Sequence, residues 1–536
     1  IQRPMARHDG EDLPTSAFVG VEDGTFPLST TRYEKRGIAV YLPEWQIDQC
    51  IQCNQCAYVC PHATIRPFLL DDSELEKAPD TFKTKKPIGK GLEGYHYRIQ
   101  VTPLDCTGCA NCADVCPAPG KAIVMKPADH EIEMESENWE YAIKNVTEKR
   151  QLMDVKTLKG SQFARPLLEF HGACPGCGET PYARLITQLY GDRMLIANAT
   201  GCSSIWGGSA PSIPYTVNAE GKGPAWMSPL FEDNAEFGYG IYLGSKQIRA
   251  KLAQLMQQGL ESTIGENLKE AFREWLENME DGEGSKRASA RVLEAMSKED
   301  AAGNPIVREI KGKKDYLIKP SVWIFGGDGF AYDIGYNGID HVIASGDDVN
   351  ILVMDTEVYS NTGGQASKAT QTAAIAKFAA AGKKVRKKDL GLIATTYGYV
   401  YVAQIAMGAN MNQTIKAIAE AESYRGPSII IAYATCVNHG IKSGMGTSIL
   451  EQKKAVEAGY WHLWRHDPRL KEQGKNPFVL DSKEPSASFQ DFLKGEIRYS
   501  SLMNVFPEVA QEMFDEAEGH AREKYQTLKR YAEMQY

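Results

Sequence analysis

Cys50-Ile51-Gln52-Cys53-Asn54-Gln55-Cys56-Ala57-Tyr58-Val59-Cys60-Pro61 is a run of four cysteines closed by proline. It recurs 56 residues later as Cys106-Thr107-Gly108-Cys109-Ala110-Asn111-Cys112-Ala113-Asp114-Val115-Cys116-Pro117. Thiolates are soft, charged ligands that suit iron–sulfur clusters. In a C-x2-C-x2-C-x3-C-P run, three cysteines wrap one cubane and the fourth turns away to serve the other cluster. A pair of zinc sites, or eight buried free thiols, is the plainer reading. It leaves the repetition and both prolines without a reason.

The two runs therefore predict an α+β, two-cluster ferredoxin-like domain over about residues 41–130. Exchange of the fourth ligand assigns Cys50, Cys53, Cys56 and Cys116 to one [4Fe–4S] cluster. It assigns Cys60, Cys106, Cys109 and Cys112 to the other. Between the runs lies a charged insert, Asp71–Lys90.

At 536 residues the chain has room for about three or four domains. It is 43% hydrophobic and 24% charged, an ordinary globular balance. Its formal charge is −9, and its longest basic run, Lys383–Lys388, is interrupted by Val385. That argues against nucleic-acid binding, which needs clustered positive charge. No apolar run reaches the ~18–20 residues of a membrane span, and no charged-then-apolar leader is visible. Twelve cysteines are too few for a disulfide scaffold and fit metal ligation in a reducing compartment, so a cytoplasmic setting is expected. The chain opens on Ile1, and Gln2–Tyr41 is rich in Pro, Gly and charge. This reads as the middle of a longer protein, with residues 1–40 a linker and the whole a C-terminal portion.

Beyond a connector at 131–165, with a helix expected around Tyr141–Leu158, the texture becomes α/β. Met194–Asn198, Val322–Phe325, Asn350–Met354 and Ser428–Ala432 read as buried strands of a doubly wound, mostly parallel sheet. Asn410–Tyr424 has helical spacing at Met411, Ile415, Ile418 and Ala419. This α/β domain is placed at 166–460, with a charged helical insertion at about 245–313. Residues 461–536 are expected to form a helical C-terminal arm.

Cys174-Pro175-Gly176-Cys177-Gly178 supplies another ligand pair, and Cys202 and Cys436 each follow a predicted strand. Loops at that edge of an α/β sheet gather ligands, so four cysteines from three loops can hold a third cluster. A lone C-x-x-C is equally a redox pair or half a zinc site. Gly326-Gly327-Asp328-Gly329-Phe330 directly follows a strand, and Thr356 stands 28 residues after Asp328 in a second oxygen-rich loop, Asp355–Gln365. A Gly-Asp-Gly turn lets amides approach a phosphate while the carboxylate holds Mg²⁺. Alone, the triplet is more often a simple turn. Its spacing to the second loop favours the metal reading and resembles the diphosphate motif of thiamine-diphosphate enzymes.

Three stretches carry a wider resemblance: Cys174–Glu179, Gly327–Tyr336 and Asp355–Gln365. With the cysteine runs, they make the chain from Arg32 onward resemble the pyruvate:ferredoxin (flavodoxin) oxidoreductase family, pyruvate synthases. The resemblance implies that Cys174, Cys177, Cys202 and Cys436 ligate a third [4Fe–4S] cluster. It implies that Asp328, Thr356 and the carbonyl of Val358 hold Mg²⁺. Thiamine diphosphate would be lined by Glu179, Cys202, Gly327, Asp328, Gly329, Phe330, Thr356, Glu357, Val358, Tyr359, Ser360 and Asn361. Asn361 would be catalytic, beside the reacting carbon.

The implied reaction is oxidative decarboxylation of pyruvate with CoA, giving acetyl-CoA and CO₂. Electrons would leave singly through three clusters to ferredoxin or flavodoxin. The family also implies a homodimer, and pyrimidine- and CoA-binding domains N-terminal to Ile1, so the isolated chain is not expected to turn over pyruvate. Two other readings remain: a sister 2-oxoacid:ferredoxin oxidoreductase, and an iron–sulfur electron-transfer subunit without thiamine chemistry. His62 follows a completed ligand run and is expected at the surface or in support. His171 and His439 are expected to be structural. Trp206 and Trp226 either cover the site or pack in the core.

Overall fold

The computed structural model describes residues 1–130, 132–209, 212–298 and 304–535. The two cysteine runs sit in matching frames. Strand β1 (Tyr41–Trp45) precedes the first run and β2 (Ile65–Leu70) follows it; β3 (His96–Val101) precedes the second and β4 (Ile123–Pro127) follows it. β1 pairs antiparallel with β4, and β2 with β3. Each run carries one short helix, Gln55–Tyr58 and Asn111–Asp114. The repetition extends to the backbone. Gln52 and Gly108 are left-handed at φ 58° and 68°, and Asn54 and Ala110 at 61° and 70°. Gln52 and Ala110 carry side chains that disfavour that region, so the turns at the cysteine runs are held by the surrounding fold.

The larger domain is an eight-stranded sheet. Its strands are β5 (Met194–Asn198), β6 (Ala225–Met227), β7 (Ser321–Gly326), β8 (Asn350–Asp355), β9 (Tyr401–Ile405), β10 (Ser428–Tyr433), β11 (Trp464–His466) and β12 (Phe478–Leu480). The order across the sheet is β12-β11-β9-β10-β8-β7-β5-β6. β5 to β10 run parallel, while β11 joins β9 antiparallel and pairs likewise with β12.

Register explains why the apolar runs are continuous. Ile324, Ile351, Ile429 and Val402 form one cross-sheet row and belong to one core cluster. The next row, Phe325, Leu352, Ile430 and Ala403, belongs to a second cluster. Successive side chains point to opposite faces, and here both faces are covered.

The insertion is helical: Asn234–Leu260, Glu266–Asn278, Gly282–Lys298 and Pro305–Gly312. They enclose a core of their own, including Leu252, Phe272, Trp275 and Ile310; residues 299–303 of this stretch lie outside those described. The first helix starts eleven residues earlier than its charge pattern suggests. Asn234 there donates to the Phe325 carbonyl at 3.1 Å, anchoring the helix start on the sheet.

Three expectations need correction. The connector helix spans Ile132–Asn145, ahead of its predicted position, because its buried face, Asn138, Trp139 and Ala142, docks on the cysteine module. The stretch after Trp461 is not simply helical, since β11 and β12 extend the sheet edge before the final helix Pro507–Glu533. Three-residue strands separated by the charged turn Pro468–Gln473 are too short to show a period. The expected linker is tied down at its C-terminal end: the Ser29 amide donates to the Tyr215 carbonyl at 2.8 Å, and the Thr31 hydroxyl to that of Glu169 at 2.9 Å. No helix among the described residues is long and apolar enough to cross a membrane.

Candidate redox and cofactor site

In the cysteine module the fourth cysteine of each run lies near the first three of the other. The Cys56 thiol is pushed well up first by burial and then by Cys53, Cys50 and Cys116. Cys112 is pushed up by burial and then by Cys109, Cys106 and Cys60. Burial lifts Cys106 to about 12 and Cys109 to about 11. Thiols this disfavoured as free anions need positive charge from a bound metal to ionise. Cys60, Cys106, Cys109 and Cys112 line one cavity of about 20 Å³. Among the described residues no three His, Cys, Asp or Glu side chains close on a single-ion position. Backbone amides supplement the sulfurs symmetrically: Gln52 N–H reaches Cys50 Sγ, and Gly108 N–H reaches Cys106 Sγ, both at 3.4 Å.

A third group forms at the carboxyl ends of the parallel strands. Cys174 and Cys177 precede the helix Thr180–Tyr190, Cys202 follows β5, and Cys436 follows β10. After burial and Glu179, the charges of Cys436 and Cys174 raise Cys202; Cys436 itself rises to about 11, chiefly through burial. The Gly178 amide donates to the Thr435 carbonyl at 3.0 Å. A Cβ on Gly178 would stand 2.5 Å from the Thr435 nitrogen, so only glycine lets the two cysteine segments meet. This group abuts the module through the Gly176 amide, which bonds to the Cys109 sulfur. Within the module the Cys56 and Cys112 thiols are close enough to interact, which links its two cysteine groups.

The same strand ends carry the Gly-Asp-Gly turn. Asp328 is buried, accepts the Ser367 hydroxyl on Oδ2 at 2.6 Å, and leaves Oδ1 without a partner. Burial and then Asp355 push its carboxyl well up, against Lys387. A buried, unsatisfied carboxylate oxygen is costly unless a cation completes it. The Thr356 hydroxyl donates to the Val358 carbonyl at 3.0 Å, and a Cβ on Gly329 would stand 2.9 Å from the Tyr359 ring. The two loops therefore face one another, as oxygen ligands for Mg²⁺ require. Cys202 Sγ lies 3.2 Å from Ser360 Oγ, bringing the third thiol group to the edge of this loop.

The remaining predicted residues are placed as follows. Glu179 is buried, accepts Trp206 Nε1–H at 2.9 Å, and is raised by burial to about 7. Gly327 and Phe330 flank Asp328 in the turn, and Tyr359 lies against Gly329. Asn361 is exposed at the loop tip. Glu357, left-handed at φ 62°, turns its carboxylate away from the strand ends, toward the C-terminal region. Arg498 meets it at 2.9 Å, Lys387 at 3.2 Å, and the Tyr460 hydroxyl bonds to it. Burial alone would raise it, but Lys387 and Arg498 overcome that and hold it at about 2. The Glu357 side chain thus anchors the Asp355–Gln365 loop from behind.

Sequence reasoning missed those anchors. Lys387 sat in a run read only for its lack of a stripe, yet it is largely buried and pairs with Asp355 at 2.6 Å. Ser367 and Arg498 carried no local signal. His439 bridges two loops: Nε2 meets the Thr356 carbonyl at 2.7 Å, and the Cys436 amide donates to Nδ1 at 3.5 Å. His62, expected at the surface or in support, is 2% exposed. Trp206 is buried, and Trp226 lies in β6 with Nε1 donating to Asn198 at 3.1 Å.

Family models match four stretches. They are a domain of unknown function, EKR, over residues 1–39; a 4Fe-4S dicluster domain over 49–130; the pyruvate-ferredoxin oxidoreductase insertion domain over 248–301; and the thiamine pyrophosphate enzyme C-terminal TPP binding domain over 313–432. The pyruvate-flavodoxin oxidoreductase of Klebsiella pneumoniae is 56% identical over 532 residues, 99% of this chain and 45% of that protein. The pyruvate:ferredoxin oxidoreductase of Moorella thermoacetica is 56% identical over 537 residues, with the same coverage of each. A mitochondrial pyruvate dehydrogenase (NADP(+)) of Euglena gracilis is 48% identical over 511 residues, 95% of this chain and 28% of the relative. The chain spans somewhat less than half the length of the first two relatives. Over 99% of its length the chain is thus similar to a 45% portion of these pyruvate oxidoreductases, and it carries a 4Fe-4S dicluster domain and a thiamine pyrophosphate-binding domain.

Proposed function

We propose that this chain is the thiamine-holding and electron-draining portion of a pyruvate:ferredoxin or pyruvate:flavodoxin oxidoreductase. With the rest of such a protein, it would serve oxidative decarboxylation of pyruvate with CoA to acetyl-CoA and CO₂, two electrons passing to two one-electron acceptors. When bound, thiamine diphosphate supplies the electron sink for decarboxylation, and [4Fe–4S] clusters supply one-electron stations.

This chain's own residues have distinct tasks in that reading. Asp328 Oδ1, the Thr356 hydroxyl and the Val358 carbonyl hold Mg²⁺, and Ser367 orients the Asp328 carboxylate. The amides of Gly327 to Phe330 cradle the diphosphate, while Glu179, Cys202 and the loop from Thr356 to Asn361 line the cofactor. Asn361 serves as the catalytic amide, its exposed side chain free to meet substrate. Cys174, Cys177, Cys202 and Cys436 hold the cluster that first receives electrons. The Cys60, Cys106, Cys109 and Cys112 cluster comes next, and the Cys50, Cys53, Cys56 and Cys116 cluster is the outlet. The observation that supports this reading is the contact of Cys202 Sγ with Ser360 Oγ at 3.2 Å, between a proposed cluster ligand and the proposed cofactor loop. Core clusters on both faces support a doubly wound sheet, and the proposed setting is a cytoplasmic homodimer.

Metal and cofactor analysis of anaerobically purified protein tests the reading. About twelve irons, from three cubanes of four, are expected, with one thiamine diphosphate per catalytic unit. Asp328→Ala should lose thiamine and keep iron. A parent that binds no thiamine, with its Asp328→Ala variant equally indifferent to it, would instead make the chain an electron-transfer portion only; a variant that binds thiamine as the parent does would remove Asp328 from the cofactor site.

A further inference from the structure

Two buried histidines meet at the junction of the dicluster module and the thiamine-binding domain. His62 lies two residues after Cys60, and His171 lies three before Cys174. Their ring centroids are 4.6 Å apart at an interplanar angle of 32°, and neither is more than 2% exposed. Their hydrogen bonds are reciprocal. His62 Nε2 is 2.9 Å from the carbonyl of Ala173, the residue before Cys174. His171 Nε2 is 2.7 Å from the carbonyl of Pro61, the residue after Cys60. Each imidazole thus grips the backbone next to a cysteine on the other side of the junction.

The remaining contacts fix how the rings are used. The Ala173 amide donates to His171 Nδ1 at 3.3 Å, so His171 must carry its proton on Nε2. His62 Nδ1 faces the Thr107 hydroxyl at 3.5 Å, one residue from Cys106. The Phe170 amide donates to the His62 carbonyl at 3.0 Å, adding a backbone link beside the rings. On its outer side His171 packs 5.7 Å from the Trp206 ring, which in turn holds Glu179. Neither histidine has a nitrogen left to ligate metal.

We infer that His62 and His171 form a clasp that sets the separation between the Cys174-side cluster and the Cys60-side cluster. The clasp thereby sets the rate at which one electron leaves the reduced former and enters the oxidised latter. No atom moves in this step. The two are positioning residues, and the inference rests on the proposed ligation of clusters by both thiol groups.

The test uses the complete protein, purified anaerobically, with His62→Phe, His171→Phe and the corresponding Gln variants. Phe keeps a ring and removes the donor; Gln keeps a donor of similar reach. Three quantities are read: iron per chain, the spin–spin splitting between reduced clusters by electron paramagnetic resonance, and the freeze-quench rate at which the dicluster signal appears. The Phe variants should retain iron, lose the parent splitting, and slow the dicluster signal on the order of tenfold or more, since small misplacements of reacting centres carry penalties of that size. The double Phe variant should be little slower than either single one, because the pair acts as a unit. Gln should restore the parent splitting.

Phe variants with full iron and unchanged splitting and rate would overturn the clasp. If a Phe variant loses iron, His62→Asn and His171→Asn take its place, their shorter amides being unable to span the junction. The same loss of splitting is then expected, and an unchanged splitting overturns the inference. A parent protein without iron in these groups would defeat the cluster assignment instead, which the iron measurement alone reveals.

Discussion

Ser367 and Asp328 are separated by 39 residues, and the hydroxyl of the first donates to one carboxylate oxygen of the second at 2.6 Å. The other carboxylate oxygen is buried and has no partner. Ser367 therefore aims Asp328, and a cation has a ready ligand. Hydrogen bonds to charged groups contribute about 1.5–3 kcal/mol. Ser367→Ala should weaken Mg²⁺-dependent thiamine diphosphate binding by about tenfold or more by that measure. Asp328→Asn should abolish it, as followed by calorimetric titration. Equal affinity in Ser367→Ala and parent would remove Ser367 from the site.

Arg498 and Lys387 hold Glu357 at the back of the same loop. Removing one partner of a buried ion pair costs about 3–5 kcal/mol, because the other charge is left uncompensated. Arg498→Met is expected to lose about that much in denaturant unfolding. The pH dependence has a definite sign. Glu357 is depressed from 4.5 to about 2 in the fold, so its stabilisation is complete above about pH 4.5 and is lost as pH falls toward about 2. Without Arg498 the folded-state pKa of Glu357 should rise toward its ordinary value, so in Arg498→Met the acid loss should be smaller and finish at higher pH; a superimposable acid profile would contradict the assignment.

Gly178 tests the third thiol group without touching a cysteine. A Cβ there would stand 2.5 Å from the Thr435 nitrogen and 2.6 Å from its hydroxyl. Gly178→Ala must push the Cys174–Cys177 segment away from Cys436. Iron should fall by about four atoms per chain, the content of one cubane, while the dicluster spectrum persists. Full iron content in this variant would mean that the segment need not approach Cys436.

Trp464 anchors the edge strands. It is fully buried and stacked on Phe478 with centroids 5.0 Å apart, and Gly391 is small enough to let its ring lie close. Trp464→Ala should cost about 3–5 kcal/mol, typical of emptying a large aromatic site. A loss below 1 kcal/mol, by denaturant titration, would show that β11 is dispensable.

The parts legible in sequence share one property: their partners are close in the chain or their pattern is periodic. A cubane takes three ligands from one short turn, so Cys50, Cys53 and Cys56 announce themselves by spacing. The buried strands announce themselves because a sheet covered on both faces demands unbroken apolar runs such as Ile429-Ile430-Ile431. Asp328 and Thr356 were legible because each directly follows such a strand, where parallel topology must bring loop ends together.

Tertiary structure alone decided what holds these pieces in place. Glu357 meets an arginine 141 residues away, and His62 bonds to a carbonyl 111 residues on. A single charge or imidazole has no period, and its worth depends on burial and direction, which arise only once distant segments pack. The edge strands Trp464–His466 and Phe478–Leu480 escaped for a related reason. Three residues are too few to alternate visibly, and their strand character is conferred by the neighbour they pair with.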